Sequence, residues 1–393
     1  MAFLKKPLKR IARHVKNPIR RAKLELKQGL GWLDQPIILP YRSFGNGQEF
    51  RMLGRVMEDS GLSKTARHNS KAQNMLAMGK RFLSDDIPEV KVRARFGDQE
   101  QIVMTDTNGY FEVCFDTDGQ ADHGAWNDVH FELLESVVEG QASITATGEV
   151  LLPPADTQFG VISDVDDTIL ISHATQTLKK FKLMLLKNAR TRAPFEGVAA
   201  FYRALQQGGA GCPPCGNPIF YVSSSEWNLY DLLTEFCRNR GIPKGPFLLR
   251  EMEAEWYKVW KSGGGSHNHK HDKIKRILET YPHLQFILIG DSGQHDAEIY
   301  AKTVHNYPGR ILAVYIRDVS KNRREREVVR LADQLRPMEV DMLLVKDSVE
   351  AARHAAEQGF IQPEAIQAVE EDRVADERAP TELEEVVGET ASV

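Results

Sequence analysis

Phe159-Gly-Val-Ile-Ser-Asp164-Val-Asp166-Asp167-Thr168 sets an apolar strand against a burst of carboxylates. A second stretch, Phe286-Ile-Leu-Ile-Gly290-Asp291-Ser-Gly-Gln-His-Asp296, repeats the arrangement about 125 residues later. Carboxylates crowded at the tip of a buried strand repel one another. The arrangement is costly unless a cation or a reacting phosphate sits among them. An acidic turn after a core strand explains one such stretch. Two, each with glycine and hydroxyl neighbours, point to a site.

Around these stretches, from about 156 to 350, apolar runs alternate with helical segments. Strands are predicted near 159–164, 218–223, 246–249, 285–290, 311–316 and 342–345. That alternation predicts an α/β domain on a parallel sheet, where ligands sit beyond the strands' carboxyl ends. Both acidic stretches stand at such ends.

Upstream the texture is shorter and alternating: Ile37-Ile-Leu, Phe50-Arg-Met-Leu-Gly-Arg-Val, Val90-Lys-Val-Arg-Ala-Arg-Phe, Gly109-Tyr-Phe-Glu-Val-Cys-Phe, His130-Phe-Glu-Leu-Leu and Ala142-Ser-Ile-Thr-Ala-Thr-Gly-Glu-Val-Leu-Leu. Short strands at this spacing predict an antiparallel β-sandwich-like domain. Asp106-Thr-Asn-Gly109 has hairpin-turn chemistry. Residues 58–86 read as a polar, partly helical insertion, and Pro153-Pro154 mark the exit.

The ends are charged in opposite senses. Residues 1–30 carry ten Lys or Arg against Glu25, with Leu4, Leu8, Ile11, Val15, Ile19, Ala22, Leu26 and Leu30 on one helical face and a kink at Pro18. Such a helix lies in a lipid interface, each cation contributing ~1 kcal/mol near an anionic surface, or it packs on its own protein. Nucleic acid is not expected, since aromatics are nearly absent from the stretch. Residues 364–393 carry ten Asp or Glu against Arg373 and Arg378, and the segment from 362 is expected to be mostly disordered. The resulting division is 1–35 basic helix, 36–155 β-rich domain, 156–355 catalytic domain and 356–393 acidic tail.

The 393 residues, 41% hydrophobic and with a formal net charge of −4, suit two or three ordinary domains. Four cysteines are too few to staple them, which favours a reducing, cytoplasmic setting. No apolar run is long enough to span a membrane, and no h-region marks a secretory signal.

An aspartyl nucleophile needs a cation to bring a phosphate dianion close, an acid for the leaving oxygen, and donors that replace phosphate solvation. Asp164-x-Asp166-x-Thr168, then Ile219-Phe-Tyr-Val222-Ser223, then Lys270 or Lys273, then Gly290-Asp291-Ser, supply these in order. The set resembles the haloacid dehalogenase (HAD) superfamily. More closely, Ser163-Asp-Val-Asp-Asp-Thr168, Asn188-Ala-Arg-Thr-Arg-Ala-Pro-Phe-Glu-Gly197, Tyr221-Val-Ser-Ser-Ser225 with Trp227-Asn228, Gly290-Asp-Ser-Gly-Gln-His-Asp296 with Glu298 and Tyr300, and Tyr315-Ile-Arg-Asp318 resemble the actin-patch-protein phosphatidate phosphatase family. The set departs at Glu226, where the family pattern implies proline.

The resemblance implies a Rossmann-like HAD phosphatase domain with a minimal cap and Mg2+-dependent hydrolysis of phosphatidate to diacylglycerol at a phospholipid surface. It implies Asp164 as nucleophile, Asp166 as acid and base, and Lys270, favoured over Lys273 by spacing, as the neutralising cation. Mg2+ is then held by Asp164, the carbonyl of Asp166, Asp291 and Asp296. Ser223 and Ser224 contact phosphate, and Thr168 buttresses the nucleophile loop. Arg190 and Arg192 steer an anionic head group or cap a helix.

Only about 55 residues separate Thr168 from Ser223, leaving no room for a large cap. An open site suits a substrate presented on a large surface, with peripheral attachment to a membrane through the basic helix. The alternatives are a phosphatase for proteins or soluble esters, or a non-catalytic scaffold that binds phospholipid. Cys212-Pro-Pro-Cys215 has redox or half-zinc spacing, or is a plain loop. His267, His269 and His271 form a histidine-rich loop that binds metal or is merely solvated.

Overall fold

Alternation of apolar and polar residues builds the amino-terminal part of the computed structural model, which describes residues 27, 33–59, 85–117, 125–165, 196–212, 215–250, 268–293, 295–319 and 324–378. Its strands are β1 (Pro36–Pro40), β2 (Ser43–Phe44), β3 (Glu49–Glu58), β4 (Lys91–Phe96), β5 (Gln99–Met104), β6 (Tyr110–Asp116), β7 (Trp126–Leu133) and β8 (Thr145–Leu151). β1, β3 and β6 form one antiparallel sheet, while a second runs β2-β8-β7-β4-β5, antiparallel except where β2 meets β8. Every second residue faces inward. Phe50 and Met52 of β3 and Phe111, Val113 and Phe115 of β6 share one core with Val92, Ala94 and Phe96 of β4 and Val129 and Phe131 of β7.

Two details differ from the sequence reading. The turn at Asp106-Thr-Asn-Gly109 forms, with Asp106 Oδ1 accepting from the N–H groups of Asn108 and Tyr110. It links strands of different sheets, however, so it is no hairpin. Gly109 is required there: its φ is +73°, and a Cβ would lie 2.6 Å from the Val56 carbonyl oxygen. The hairpin is β4–β5, closed by Gly97-Asp98. Most of the 58–86 insertion, residues 60–84, lies outside the described residues.

The remaining strands are β9 (Gly160–Asp164), β10 (Ile219–Glu226), β11 (Phe247–Arg250), β12 (Phe286–Asp291), β13 (Ile311–Arg317) and β14 (Asp341–Val345). Between and after them run α1 (Val198–Gln207), α2 (Tyr230–Asn239), α3 (Asn268–Thr280), α4 (Asp296–Asn306), α5 (Glu325–Leu335), α6 (Ser348–Glu357) and α7 (Ala365–Arg378). The six strands form one parallel sheet, ordered β11-β10-β9-β12-β13-β14. Both faces are covered, which is why the strands read as near-continuous apolar runs. Val161, Tyr221, Ile287 and Ile289 pack with α1, α2, α6 and α7. Their neighbours Ile162, Phe220 and Leu288 pack with α3, α4 and α5. The strand order reverses between β9 and β12, and a parallel α/β sheet opens a crevice at such a point.

The stretch Tyr41–Phe44, which follows β1 and takes in β2, joins the two parts. Tyr41 packs in the α1–α2 layer and Phe44 in the α3 layer, where its ring lies 5.3 Å from that of Phe220.

The acidic tail needs correction. Residues 365–378 form α7 rather than disordered chain, with Val369 fully buried. Asp372 and Asp376 accept from the backbone N–H groups of Ala200 and Gly197, at 2.9 and 3.0 Å. The first-turn donors of α1 have no side-chain cap of their own, because Gly197 stands at the cap. Negative charge is favoured at a helix start, so the acids have a structural use that composition does not disclose. Residues 379–393 lie outside the described residues.

Of the basic amino-terminal stretch, Lys27 is described. Its ammonium pairs with Glu58 at 3.0 Å and Asp85 at 2.6 Å, so this cation faces the protein's own β-rich part. The rest of the predicted helix over 1–30 lies outside the described residues. No helix among the described residues is long and apolar enough to cross a membrane.

Candidate active site

β9 and β12 are neighbours in register, Ile289 opposite Ser163, so the residues that end them, Asp164 and Asp291, emerge side by side at the order reversal. Asp296 opens α4 one short turn later and is fully buried. Its Oδ2 accepts from the Asp291 N–H at 3.1 Å, and the helix start favours its charge. Gly290 makes the approach possible: a Cβ there would lie 2.5 Å from that same oxygen. Asp291 Oδ1 in turn accepts from the Gly293 N–H at 2.6 Å.

Lys270, in the first turn of α3, points into this cluster. Its Nζ lies 2.9 Å from Asp164 Oδ2 and donates to Asp296 Oδ1. The side chains of Lys270 and Asp164 are 6% and 2% exposed, so solvent screens neither. Asp164, Asp291 and Asp296 hold ligand oxygens within 4.8 Å of one another. Carboxylate oxygens brought this close in a buried space repel one another when ionised, and the donor set fits a divalent cation that takes oxygen ligands.

Lys273, one turn along α3, goes elsewhere: its Nζ donates to the Ser223 backbone carbonyl at 2.6 Å. The two lysines are thereby distinguished, Lys270 touching the carboxylates and Lys273 the neighbouring strand end. Ser223 follows Val222, the residue opposite Asp164 in the β9–β10 ladder. It is buried, and its Oγ accepts from the Ser225 N–H at 3.0 Å. Ser224 beside it is exposed. Asp166, Asp167, Thr168, Arg190 and Arg192 lie outside the described residues.

Two tyrosines support the cluster from within. Tyr300 donates to the Ile289 carbonyl at 2.8 Å. Burial first, then the negative charge of Asp296, Asp164 and Asp291, pushes its ionisation well above the ordinary tyrosine range. Tyr202 shares a 2.6 Å hydrogen bond with Ser163 Oγ, which donates to the Asp164 carbonyl. Burial keeps this phenol protonated too. The contact of Tyr202 has no sequence signal beyond an apolar helix face.

The other candidates stay outside the cluster. Cys212 and Cys215 are free and half-buried, and burial raises the Cys212 thiol, the opposite of an activated thiolate. His271 meets Asn306, its imidazole held below the usual range by burial and Lys302. Among the described residues, no histidine joins a potential metal cluster.

Residues 159–318 match the family model described as the catalytic domain of phosphatidate phosphatase APP1. Phosphatidate phosphatase APP1 of Saccharomyces cerevisiae is 32% identical over 194 residues, covering 48% of this chain and 31% of that protein. An uncharacterized protein of Schizosaccharomyces pombe is 26% identical over 255 residues, covering 63% of this chain and 40% of that one. The chain thus spans 31% and 40% of the length of these two curated relatives. A carbohydrate acetylesterase from Xanthomonas citri aligns over 69% of this chain and 66% of its own at 10% identity, but its TM-score of 0.26 bears on nothing further. Residues 159–318 are thus similar to the catalytic domain of phosphatidate phosphatase APP1.

Proposed function

We propose that the chain is a Mg2+-dependent phosphatase that hydrolyses phosphatidate to diacylglycerol and phosphate through an aspartyl phosphate on Asp164. The observation that supports this reading is the convergence of the carboxylates of Asp164, Asp291 and Asp296, beside Lys270, within a segment similar to the APP1 catalytic domain. The domain is read as a Rossmann-like HAD fold, and the amino-terminal sheets as a sandwich that precedes it.

An Asp164 carboxylate oxygen attacks phosphorus, and the bond from phosphorus to the lipid oxygen breaks. Asp166, two residues on, gives its proton to that departing oxygen. It then takes a proton from the water that attacks the aspartyl phosphate, releasing inorganic phosphate and restoring Asp164. Lys270 holds the nucleophile in place between two carboxylates and offsets charge as the phosphate dianion arrives. Asp164, Asp291 and Asp296, with the Asp166 carbonyl, are the residues that hold Mg2+. The bound ion supplies the positive charge that lets a dianion enter an acidic site. Ser223 and Ser224 donate to phosphate oxygens, Thr168 buttresses the nucleophile loop, and Arg190 and Arg192 face the head group. Basic residues 1–30 attach the protein peripherally to anionic lipid from the cytoplasm.

Phosphate release from phosphatidate in mixed micelles, and from a soluble aryl phosphate, tests this with Mg2+ and with chelator. Mg2+-dependent release from both is expected, faster from the lipid. Release from neither ends the phosphatase reading. Release from the aryl ester alone moves the substrate to soluble or protein phosphoesters.

A further inference from the structure

The parallel ladder lets go where the hydroxyls are needed. β10 pairs with β11 as far as Val222 and again only at Glu226, with a register shift between them. On its other side the pairing with β9 ends at Val222 opposite Asp164. Ser223, Ser224 and Ser225 lie beyond or between these pairs, so the sheet does not dictate where their hydroxyls point. Lys273 holds the near end at the Ser223 carbonyl.

The far end is held from outside the parallel sheet. β10 runs directly into the 3-10 turn Trp227–Leu229 and then α2. Tyr41 stacks on the Trp227 ring at 4.5 Å and 28°, and meets Tyr230 edge-on at 4.7 Å. The N–H of the next residue, Arg42, donates to the Tyr230 hydroxyl at 2.8 Å. The Arg42 side chain reaches Glu149 at 2.9 Å, and Glu149 reaches Lys244, just before β11, at 2.6 Å. Tyr41 is 1% exposed, so the clamp is buried and tight.

We propose that Tyr41 is a positioning residue for the phosphate-contacting hydroxyls: by clamping Trp227 it fixes the Ser223–Ser225 segment, and the amino-terminal sheets are thereby part of the phosphatase unit. What the segment binds rests on the phosphatase reading above, while the clamp itself does not. Among the described residues the buried Tyr41 hydroxyl makes no hydrogen bond of normal geometry, so Tyr41→Phe keeps the ring clamp and Tyr41→Ala removes it.

Both variants of the full chain are assayed on a soluble aryl phosphate, with inorganic phosphate as competitive inhibitor. In Tyr41→Ala the inhibition constant of phosphate rises about tenfold and kcat falls by a similar factor, because small misplacements of contacting groups are costly. Tyr41→Phe stays within about twofold of the unaltered protein, since it retains the ring contact. A smaller folded fraction lowers the maximal rate and leaves the inhibition constant alone; that result, or an unaffected alanine variant, overturns the proposal. Trp227→Leu breaks the same contact from the other side and must reproduce the effect if Tyr41→Ala does not fold. Amide hydrogen exchange over residues 222–229 reads the clamp without chemistry. It is expected to be faster in Tyr41→Ala and unaltered in Tyr41→Phe, and unchanged exchange in Tyr41→Ala overturns the proposal. An inactive unaltered protein whose exchange responds as expected sinks the phosphatase reading alone.

Discussion

In the amino-terminal sheets cations and anions are matched: Arg93 with Glu132, Arg95 with Glu100, Arg55 with Asp86, and Lys27 with Glu58 and Asp85. At the strand ends of the parallel sheet acids crowd together instead: Asp164, Asp291 and Asp296 converge, and Lys270 pairs with Asp164 and Asp296. The more exposed of these pairs, at Arg93 and Arg95, contribute little beyond solubility and register. Carboxylates crowded into a buried space repel one another, and such sites persist for their chemistry. The contrast teaches where each part keeps its stability. One rests on its core, and the other tolerates repulsion at its rim.

The sharpest test removes a charge from the crowded cluster. Asp164→Asn should lower turnover by at least about 1,000-fold, because the attacking oxygen is lost. Its melting temperature without Mg2+ should hold or rise, since repulsion is relieved. Calorimetry beside the phosphate-release assay checks both, and a large loss of stability would break the contrast.

Its counterpart lies in the matched half. Phe131 is 2% exposed and packs 5.5 Å from Phe111. Phe131→Ala should cost about 3–5 kcal/mol of stability through lost transfer energy and a cavity. Denaturant unfolding measures it, and aryl-phosphate kcat per folded molecule should stay near normal.

The smallest effect sits at the joint. Glu149 is half-buried, which alone would raise its carboxyl, but Lys244 and Arg42 hold it below the ordinary range. Its stabilisation is therefore complete above the unfolded carboxylate value and lost as pH falls through the depressed folded one. Glu149→Gln should melt lower at neutral pH by roughly 1 kcal/mol or less, given its solvent screening. Melting curves of the two proteins should converge as pH drops below the carboxylate range.

Legibility in the sequence followed the kind of burial. All six parallel strands fall where apolar runs predict them, because burial on both faces leaves an uninterrupted apolar signature. β5, Gln99-Glu-Gln-Ile-Val-Met, escaped: no residue of it is fully buried, and it sits at a sheet edge. Gly97-Asp98 behind a good strand was the available clue. In the site, Asp164, Asp291 and Asp296 were legible from the strand ends, Lys270 was favoured over Lys273 only through the family resemblance, and the structure brings those four together. The hold of Lys273 on Ser223, the Tyr202–Ser163 bond and the Tyr41 clamp were not. Each depends on which surfaces meet, and residues 41 and 227 meet only after both parts have folded.

The capping of α1 by Asp372 and Asp376, residues 172 and 179 positions further along the chain, sets an order of events during synthesis. The first helix described after β9 leaves the ribosome with its opening amide groups not yet capped by these acids. They remain so until the last described helix has emerged and docked. The parallel sheet is consequently a late-closing structure, exposed to misassembly for as long as the chain takes to reach residue 376. Shortening the chain ahead of α7 strips those caps from α1, the helix into which the segment carrying Arg190 and Arg192 leads.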